Sequence, residues 1–340
     1  FKSDNLVDDE KVDTVFTKHF TAQVPLEFKN GALNYNMNWY YGPAKYEILN
    51  GYERNLDEIM PLGWGIFGWI NRYIFIPVFG LISSIGVGYG LAIILFTILV
   101  RIVMSPVTYK SYLSQAKMKV LRPEIAELNE KFKDNPMKKQ QETMKLYSKA
   151  GVNPMAGCLP ALMQLPVFYA LFQFFPSMFD LRQKSFLWAD DLSSYDSIYQ
   201  LPFHIPFYGS HVSLFPILAS VAIFFYMKMT TGDQAMSTPP QEGMPDMGKI
   251  MKIMIYISPL MMLFFFNNYA SGLSLYYFIS NLITIGIMLV IKNYIVKEDK
   301  IHAQIQENKT KEKKETKFQR KMREMMEQAE AQKAAQQKKK

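Results

Sequence analysis

The sequence has one cysteine, Cys158, and long stretches without any charged residue. A single cysteine excludes an internal disulfide bond and a metal cluster built on cysteine ligands. Asp, Glu, Lys and Arg are all missing from residues 73–100, 150–179, 197–227 and 253–291. Each stretch is longer than the roughly 18 apolar residues that can form a membrane-spanning helix. We therefore predict an all-α polytopic membrane protein and not a soluble enzyme.

Other residue types and motifs that the sequence lacks argue against several classes of function. The predicted spans contain no Asp or Glu, which argues against a proton or sodium relay. The chain has no phosphate-binding glycine loop, no histidines at metal-ligand spacing and no recognisable pair of nucleophile and base. We therefore expect neither enzyme activity nor a cofactor. His204 and His211 are predicted to be surface residues of a loop.

Helix length divides the apolar stretches into five spans. A helix rises about 1.5 Å per residue and the hydrocarbon core is about 30 Å thick, so residues 253–291 are too long for one crossing. A break is predicted at Asn267–Gly272, where Asn, Ser and Gly residues favour a turn. The predicted spans are 86–106, 153–178, 212–229, 252–267 and 272–292.

The segments between the spans differ in composition. Residues 54–85 include Trp64, Trp69 and Tyr73, aromatic residues that settle at a membrane surface, and predict an interfacial amphipathic helix. Residues 107–152 are charged and periodic, which predicts a cytoplasmic helical hairpin. The other predicted segments are short strands within 1–53, an external loop at 179–211, a cytoplasmic loop at 230–251 and a basic cytoplasmic tail at 293–340.

The distribution of lysine and arginine predicts the orientation in the membrane. Residues 101–149 contain 11 of them, residues 228–252 contain 3 and the tail from Lys292 contains 15, whereas residues 180–211 contain 2. Because cationic flanks stay on the cytoplasmic side, the N-terminal region is predicted to lie outside and the C-terminus in the cytoplasm.

Arg101 lies near the end of the first predicted span, in the run AIILFTILVRIVMSPVTY. One interpretation is an arginine at a helix end whose side chain extends to the cytoplasmic headgroups. The other is a positive charge that faces a water-filled cavity inside the helix bundle. Thr97 lies one turn earlier on the same helical face and would extend a polar patch inward from Arg101.

The last predicted span carries a second polar face. Ser274, Tyr277, Asn281 and Thr284 are spaced 3, 4 and 3 residues apart, so they project from one side of the helix. Ordinary hydrogen bonding between membrane helices would also explain this face. Gln164, in NPMAGCLPALMQLPVF, is a further polar residue within a span.

Several long blocks resemble the YidC membrane protein insertase family, which includes the mitochondrial Oxa and chloroplast Alb relatives. The similarity runs from about Asn38 to Ile295, and the blocks occur in the order that the family has. They are NWYYGPAKYEIL, VRIVMSPVTYKSYLSQAKMKVLRPEI, VNPMAGCLPALMQLPVFYALF, FLWADDLSSYDSI and SGLSLYYFISNLIT. The first block looks like the end of the bacterial periplasmic β-sandwich, so we expect a fragment of a bacterial member that lacks its N-terminal span and most of that domain.

The resemblance implies a five-span core around a hydrophilic groove, in which the family's arginine corresponds to Arg101. The family's threonine and second tyrosine correspond to Thr97 and Tyr277. The full predicted groove contains Arg101, Thr97, Tyr277, Asn281, Gln164, Ser274 and Thr284. The segment LPFHIPFYGSHVS looks like an insertion relative to shorter members, and the resemblance gives it no role.

The implied function is an insertase and chaperone of the bacterial inner membrane, which inserts nascent membrane proteins alone or with the Sec translocon. Its expected partners are those nascent proteins, the Sec translocon, the lipid bilayer and the ribosome, the last through the basic tail and the cytoplasmic loops. The tail would hold either ribosomal RNA or anionic lipid headgroups. The competing hypothesis is an anion transporter or channel that uses Arg101 as its binding charge.

Overall fold

The computed structural model describes residues 2–5, 18–21, 23, 25–26, 36–133, 135–153, 159–235, 247–295 and 298–310. It separates into two units, Phe1–Pro43 and Ala44–Lys340. In the first unit, strand β1 (Lys2–Asn5) pairs antiparallel with β2 (Lys18–Thr21), and Lys2 lies opposite Thr21. Residues 236–246 of the predicted cytoplasmic loop (230–251) and residues 296–297 and 311–340 of the predicted tail (293–340) lie outside the described part.

Helices dominate the second unit. In chain order they are α1 (Tyr46–Asn50), α2 (Gly65–Ile70), α3 (Ile76–Ser84), α4 (Tyr89–Val120), α5 (Arg122–Lys131), α6 (Pro136–Ala150), α7 (Leu159–Ser177), α8 (Leu214–Ala235), α9 (Met247–Phe266), α10 (Ser271–Val290) and α11 (Glu298–Thr310). Between α7 and α8 the strands β3 (Tyr199–Ile205) and β4 (Gly209–Val212) form an antiparallel hairpin. The predicted external loop at 179–211 therefore contains regular structure.

A five-residue π-helix joins α2 and α3, so residues 65–84 are helical throughout. By length and composition this segment is apolar enough to cross a membrane, with a mean hydropathy of 1.4. Asn71 in the π-helix is fully buried, and its Nδ2 donates to the carbonyl oxygens of Leu62 and of Ala170 in α7. The segment is therefore fixed to the bundle, and its interfacial position stays a prediction.

Helix α4 runs without a break through the boundary that separates the predicted span 86–106 from the predicted hairpin at 107–152. Pro106 lies inside it and has no N–H to donate to the carbonyl of Ile102. The Ser105 hydroxyl donates to that carbonyl instead, at 2.8 Å. This substitution of donors explains how the helix continues past the proline.

The helix bundle is held together by aromatic packing. Helix α8 packs against α9 and α10, and α10 also packs against α4 and α7. Phe96 of α4 and Phe174 of α7 are fully buried and stack with ring centroids 6.0 Å apart. Aromatic pairs of this kind contribute about 0.5–1.5 kcal/mol beyond the area that they bury. This stack joins α4 to α7 in the core of the bundle.

The hairpin formed by α5 and α6 packs against α11. The buried residues of this cluster are Leu121, Ile125, Ala150 and Val152 of the hairpin region and Ile301 and Ile305 of α11. Lys309 Nζ donates to both carboxylate oxygens of Glu124, at 2.7 and 2.8 Å. Helix α11 is therefore part of the hairpin's core rather than a free extension.

Two buried polar residues fix the loop between α7 and α8 to the bundle. Asp196 is 2% exposed, and its Oδ2 accepts hydrogen bonds from Trp188 Nε1 and from the backbone N–H groups of Leu214 and Phe215. It therefore caps the N-terminus of α8 across the loop.

Asn267, directly after α9, anchors the β3–β4 hairpin. Its Nδ2 donates to the carbonyls of Tyr208 and His211, and its Oδ1 accepts from the Ser213 N–H. His211 is 5% exposed, and its Nε2 lies 2.8 Å from the Asn267 carbonyl oxygen. The prediction of a surface residue is therefore wrong for His211, because β4 folds back onto the end of α9, whereas His204 is exposed.

Candidate functional site

Arg101 belongs to α4, where it is partly exposed, and its side chain reaches α10. Its Nε donates a hydrogen bond to the Ser280 hydroxyl of α10, which is fully buried. Among the residues that the structure describes, no carboxylate forms an ion pair with Arg101. The arginine is thus oriented by a neutral partner and keeps its charge available.

Four tyrosines lie within electrostatic range of the guanidinium group. It lies close enough to interact electrostatically with the hydroxyls of Tyr112, Tyr226, Tyr276 and Tyr277. These residues come from α4, α8 and α10, so three helices contribute to the surroundings of one charge. Such hydroxyls donate and accept hydrogen bonds without neutralising the charge.

The predicted face of α10 is buried in the structure. Asn281 Nδ2 donates to the Tyr277 carbonyl and Thr284 Oγ1 donates to the Ser280 carbonyl, each at 2.7 Å and within α10. Thr97 is fully buried, and its hydroxyl donates to the Ile93 carbonyl of α4 at 2.6 Å. These three side chains therefore bond to their own helices rather than to one another.

Helices α7 and α10 carry buried polar atoms without a partner. Among the described residues, Gln164 Nε2 and the hydroxyls of Ser274, Tyr276 and Tyr277 are buried without a hydrogen-bond partner. Gln164 lies beside the Tyr276 and Tyr277 hydroxyls without hydrogen-bond geometry. A buried polar group left unpaired costs about 1–3 kcal/mol, so a polar guest that pairs with these groups would be stabilised.

The arrangement suits the binding of polar groups. A partly exposed cation among hydroxyl and amide groups accommodates carboxylate, carbonyl and other acceptor groups of a guest. Within the described ranges, no group of three or more His, Cys, Asp and Glu residues is placed to hold a metal ion.

Sequence reasoning missed Ser280, Tyr276, Tyr112 and Tyr226 as neighbours of Arg101. A signal for Ser280 was present, since it lies three residues after Tyr277 and four before Thr284, which is the spacing that defined the polar face. Tyr112 and Tyr226 gave no such signal, because their position depends on how three helices pack.

Comparisons with known proteins agree on one family. A model of the 60Kd inner membrane protein family matches residues 81–300. Relatives named Membrane protein insertase YidC include one from Parabacteroides distasonis, 44% identical over 318 residues that cover 89% of this chain and 49% of the relative. Another, from Porphyromonas gingivalis, is 41% identical over 336 residues and covers 94% of this chain and 52% of the relative.

The match to these relatives is partial in length. The chain spans about half the length of the curated relatives that it matches. A solved structure described as an active YidC insertase with its first transmembrane domain resolved is 28% identical, with a TM-score of 0.44, and the match covers 73% of this chain and 53% of that one. The family match covers more than half of the present chain. The chain therefore belongs to the 60Kd inner membrane protein family, the family that the resemblance to the YidC insertases predicts.

Proposed function

We propose that this chain contains the part of a membrane protein insertase and chaperone that carries the insertion activity. The observation that carries the proposal is the state of Arg101, which is partly exposed and has no carboxylate partner in the described structure. Its side chain donates to Ser280, and buried polar groups without a partner lie on α7 and α10. The naming of its relatives as insertases supports the same function. In this proposal the polar N-terminal region of a nascent membrane protein binds next to Arg101, in a groove that also includes Thr97, Tyr277 and Gln164.

The physical advantage of such a groove is a shorter path through hydrocarbon. Each polar group that loses water without a new partner costs several kcal/mol, so a polar surface inside the bundle lowers the barrier to crossing. The apolar segment of the client meanwhile leaves sideways into lipid. We further propose that the N-terminal region lies outside, that the C-terminus lies in the cytoplasm, and that no nucleotide is needed.

An anion transporter or channel is the second candidate, and the same Arg101 favours it. The test is to reconstitute the purified protein alone in liposomes and to measure two things on one preparation. We expect a small single-span client to become protease-protected, while chloride and phosphate cross no faster than in empty liposomes. Anion flux that depends on Arg101, without client insertion, would contradict the insertase proposal. Added Sec translocon would then show whether larger clients need it.

The basic tail is proposed to bind ribosomal RNA. Residues 311–340 contain 11 Lys and Arg against 5 Glu, and contacts from such cations to phosphates release counterions. Deleting residues after Thr310 should lower co-sedimentation with ribosomes in detergent. The difference in ribosome binding between the intact and the truncated chain should vanish as the salt concentration rises. Insertion of an already released short client should stay near the level of the intact chain.

A longer deletion is the control for loss of structure. A deletion after Lys297 would also remove Ile301 and Ile305 from the hairpin core, so it serves as the comparison for a structural effect. Ribosome binding that is unchanged by the deletion after Thr310 would contradict this role and leave anionic headgroups as the target of the tail.

A further inference from the structure

The β3–β4 hairpin, which lies in the segment resembling an insertion, carries an exposed aromatic surface. Phe207 is 91% exposed, Tyr199 is 62% exposed and Phe203 is 60% exposed. No Asp, Glu, Lys or Arg occurs from Ser197 to Met227. Three large exposed rings without a neighbouring charge are unusual for a loop in water, and they match the composition of segments that lie at a membrane interface.

The turn of the hairpin has an aromatic residue where glycine is favoured. The N–H of Tyr208 donates to the Ile205 carbonyl at 3.1 Å, which closes a four-residue turn with Pro206 and Phe207 at its centre. Phe207 has a φ of 67°, and a turn with proline followed by a positive φ favours Gly or Asn at the second central position. Phe207 makes no ring contact with another described residue. Neither turn geometry nor packing within the described structure therefore explains its ring.

Contacts with α9 define the position of this tip. The Tyr208 ring packs edge to face on Phe264, with centroids 5.3 Å apart, and Asn268 Nδ2 donates to the Phe207 carbonyl at 3.4 Å. Phe264 lies within the last turn of α9, so the tip lies beside the C-terminal end of this apolar helix. Phe265, exposed next to Phe264, adds an apolar side chain at this end of α9.

The length of the neighbouring helices places that end within reach of lipid. The charge-free parts of α8 and α9 are residues 214–227 and 253–266, and each is 14 residues long. At about 1.5 Å per residue they are shorter than the hydrocarbon core of about 30 Å. With Lys228 and Lys252 at the opposite surface, the C-terminal end of α9 reaches only to the boundary of the acyl chains.

We propose that the β3–β4 hairpin binds the lipid bilayer, inserting Phe207, Phe203 and Tyr199 at the acyl-chain boundary beside the end of α9. The hairpin then extends the apolar surface of two short helices and anchors the loop between α7 and α8 to the leaflet. This inference rests on the membrane-spanning arrangement proposed above and not on insertase activity.

Nitroxide labels on single cysteines test the depth of the tip. Cys158→Ser removes the only native thiol. Labels are then placed at Phe207→Cys, at the exposed loop position Asp190→Cys and at the exposed α9 position Met261→Cys, in phosphatidylcholine and phosphatidylglycerol vesicles. We expect the ratio of oxygen to nickel-chelate collisions to be severalfold higher at 207 than at 190 and to approach the ratio at 261.

A glycine variant separates the ring from the fold of the turn. Gly adopts a positive φ without strain, so Phe207→Gly should keep the hairpin and remove only the inserted ring. With the label at Phe203→Cys, this variant should lower the collision ratio, because the hairpin loses its deepest anchor.

Three outcomes would overturn the inference. If 207 is as accessible to the chelate as 190 while 261 is not, the tip lies in water and the proposed function is untouched. Protection of 207 from both reagents would indicate a protein surface instead of lipid. Chelate access at 261 would refute the membrane arrangement and the inference together, whereas a failure of client insertion alone would refute only the insertase.

Discussion

Replacing Asp196 with alanine is expected to lower the free energy of unfolding by about 3 kcal/mol or more, since each buried donor left unpaired costs about 1–3 kcal/mol. The alanine leaves the indole N–H of Trp188 and the backbone N–H groups of Leu214 and Phe215 without their acceptor. Thermal or denaturant unfolding in detergent, followed by tryptophan fluorescence, measures the loss. Asp190→Ala in the same loop is the control, because Asp190 is exposed and should change stability by less than about 0.5 kcal/mol.

Asp196→Asn separates the charge of this residue from its hydrogen bonds. All three bonds go to Oδ2, so an amide oxygen in that position keeps every acceptor interaction. Burial raises the pKa of the Asp196 carboxyl above its ordinary value, although the hydrogen bonds that it accepts oppose the shift. The charge itself is therefore unfavourable in the fold, and Asn should be tolerated far better than Ala. Equal losses for Asn and Ala would contradict this account.

The pH dependence follows from the same shift. Because the pKa is raised by folding, the folded state holds a proton at Asp196 in a range where the unfolded chain has released it. Stability relative to Asp196→Asn should therefore increase as pH falls from 7 toward the unfolded value near 3.9, and decrease as pH rises through the folded value. A difference that is constant with pH, or that has the opposite sign, would refute the assignment.

The apolar layout of the chain could be predicted from sequence because it depends on local composition. Charge-free stretches predict helices where α7, α8, α9 and α10 occur, although α8 continues to Ala235 and α9 begins at Met247, both within charged sequence. The predicted break at Asn267–Gly272 coincides with the turn between Phe266 and Ser271. The family prediction is confirmed, since it depended on long blocks of sequence in a fixed order.

The tertiary partners of the polar residues could not be predicted in the same way. Asp196 caps α8 from 18 residues away in sequence, and Trp188 completes the same site from a different part of the loop. His211 is buried because β4 packs on Asn267, a contact that spans 56 residues. Such pairs depend on how the loop folds onto the bundle, and hydrophobic periodicity carries no information about it.

The sequence predicted the charged residue of the candidate site but not the contacts that the site's side chains make. Arg101, Tyr277 and Gln164 lie near one another in the structure, while Thr97, Asn281 and Thr284 bond to their own helices. Helical spacing defines a face, but it does not distinguish a side chain that bonds within its helix from one that faces a neighbour. Ser280 illustrates the limit, because a short residue on that face is the direct partner of Arg101.

Replacing Arg101 with alanine is expected to reduce insertion of clients with acidic N-terminal regions about tenfold or more, because a hydrogen bond to a charged group contributes about 1.5–3 kcal/mol. Arg101→Lys should retain much of the activity because it keeps the positive charge, although it loses the fork geometry of the guanidinium. Clients with neutral N-terminal regions should be affected far less by either change. The measurement is the rate of client protection in liposomes that contain each variant alone.

Ser280→Ala is the matched control for orientation. It removes the hydroxyl that accepts from Arg101 Nε and leaves the charge itself in place. If Ser280 only orients the arginine, Ser280→Ala should lower insertion of acidic clients less than Arg101→Ala and should keep the preference for them. An Arg101→Ala variant that is folded and inserts acidic clients at the normal rate would instead support the interpretation of Arg101 as a helix-end residue whose side chain reaches the headgroups. In that case the binding charge of the groove would have to come from another residue, and the insertase proposal would lose the observation that carries it.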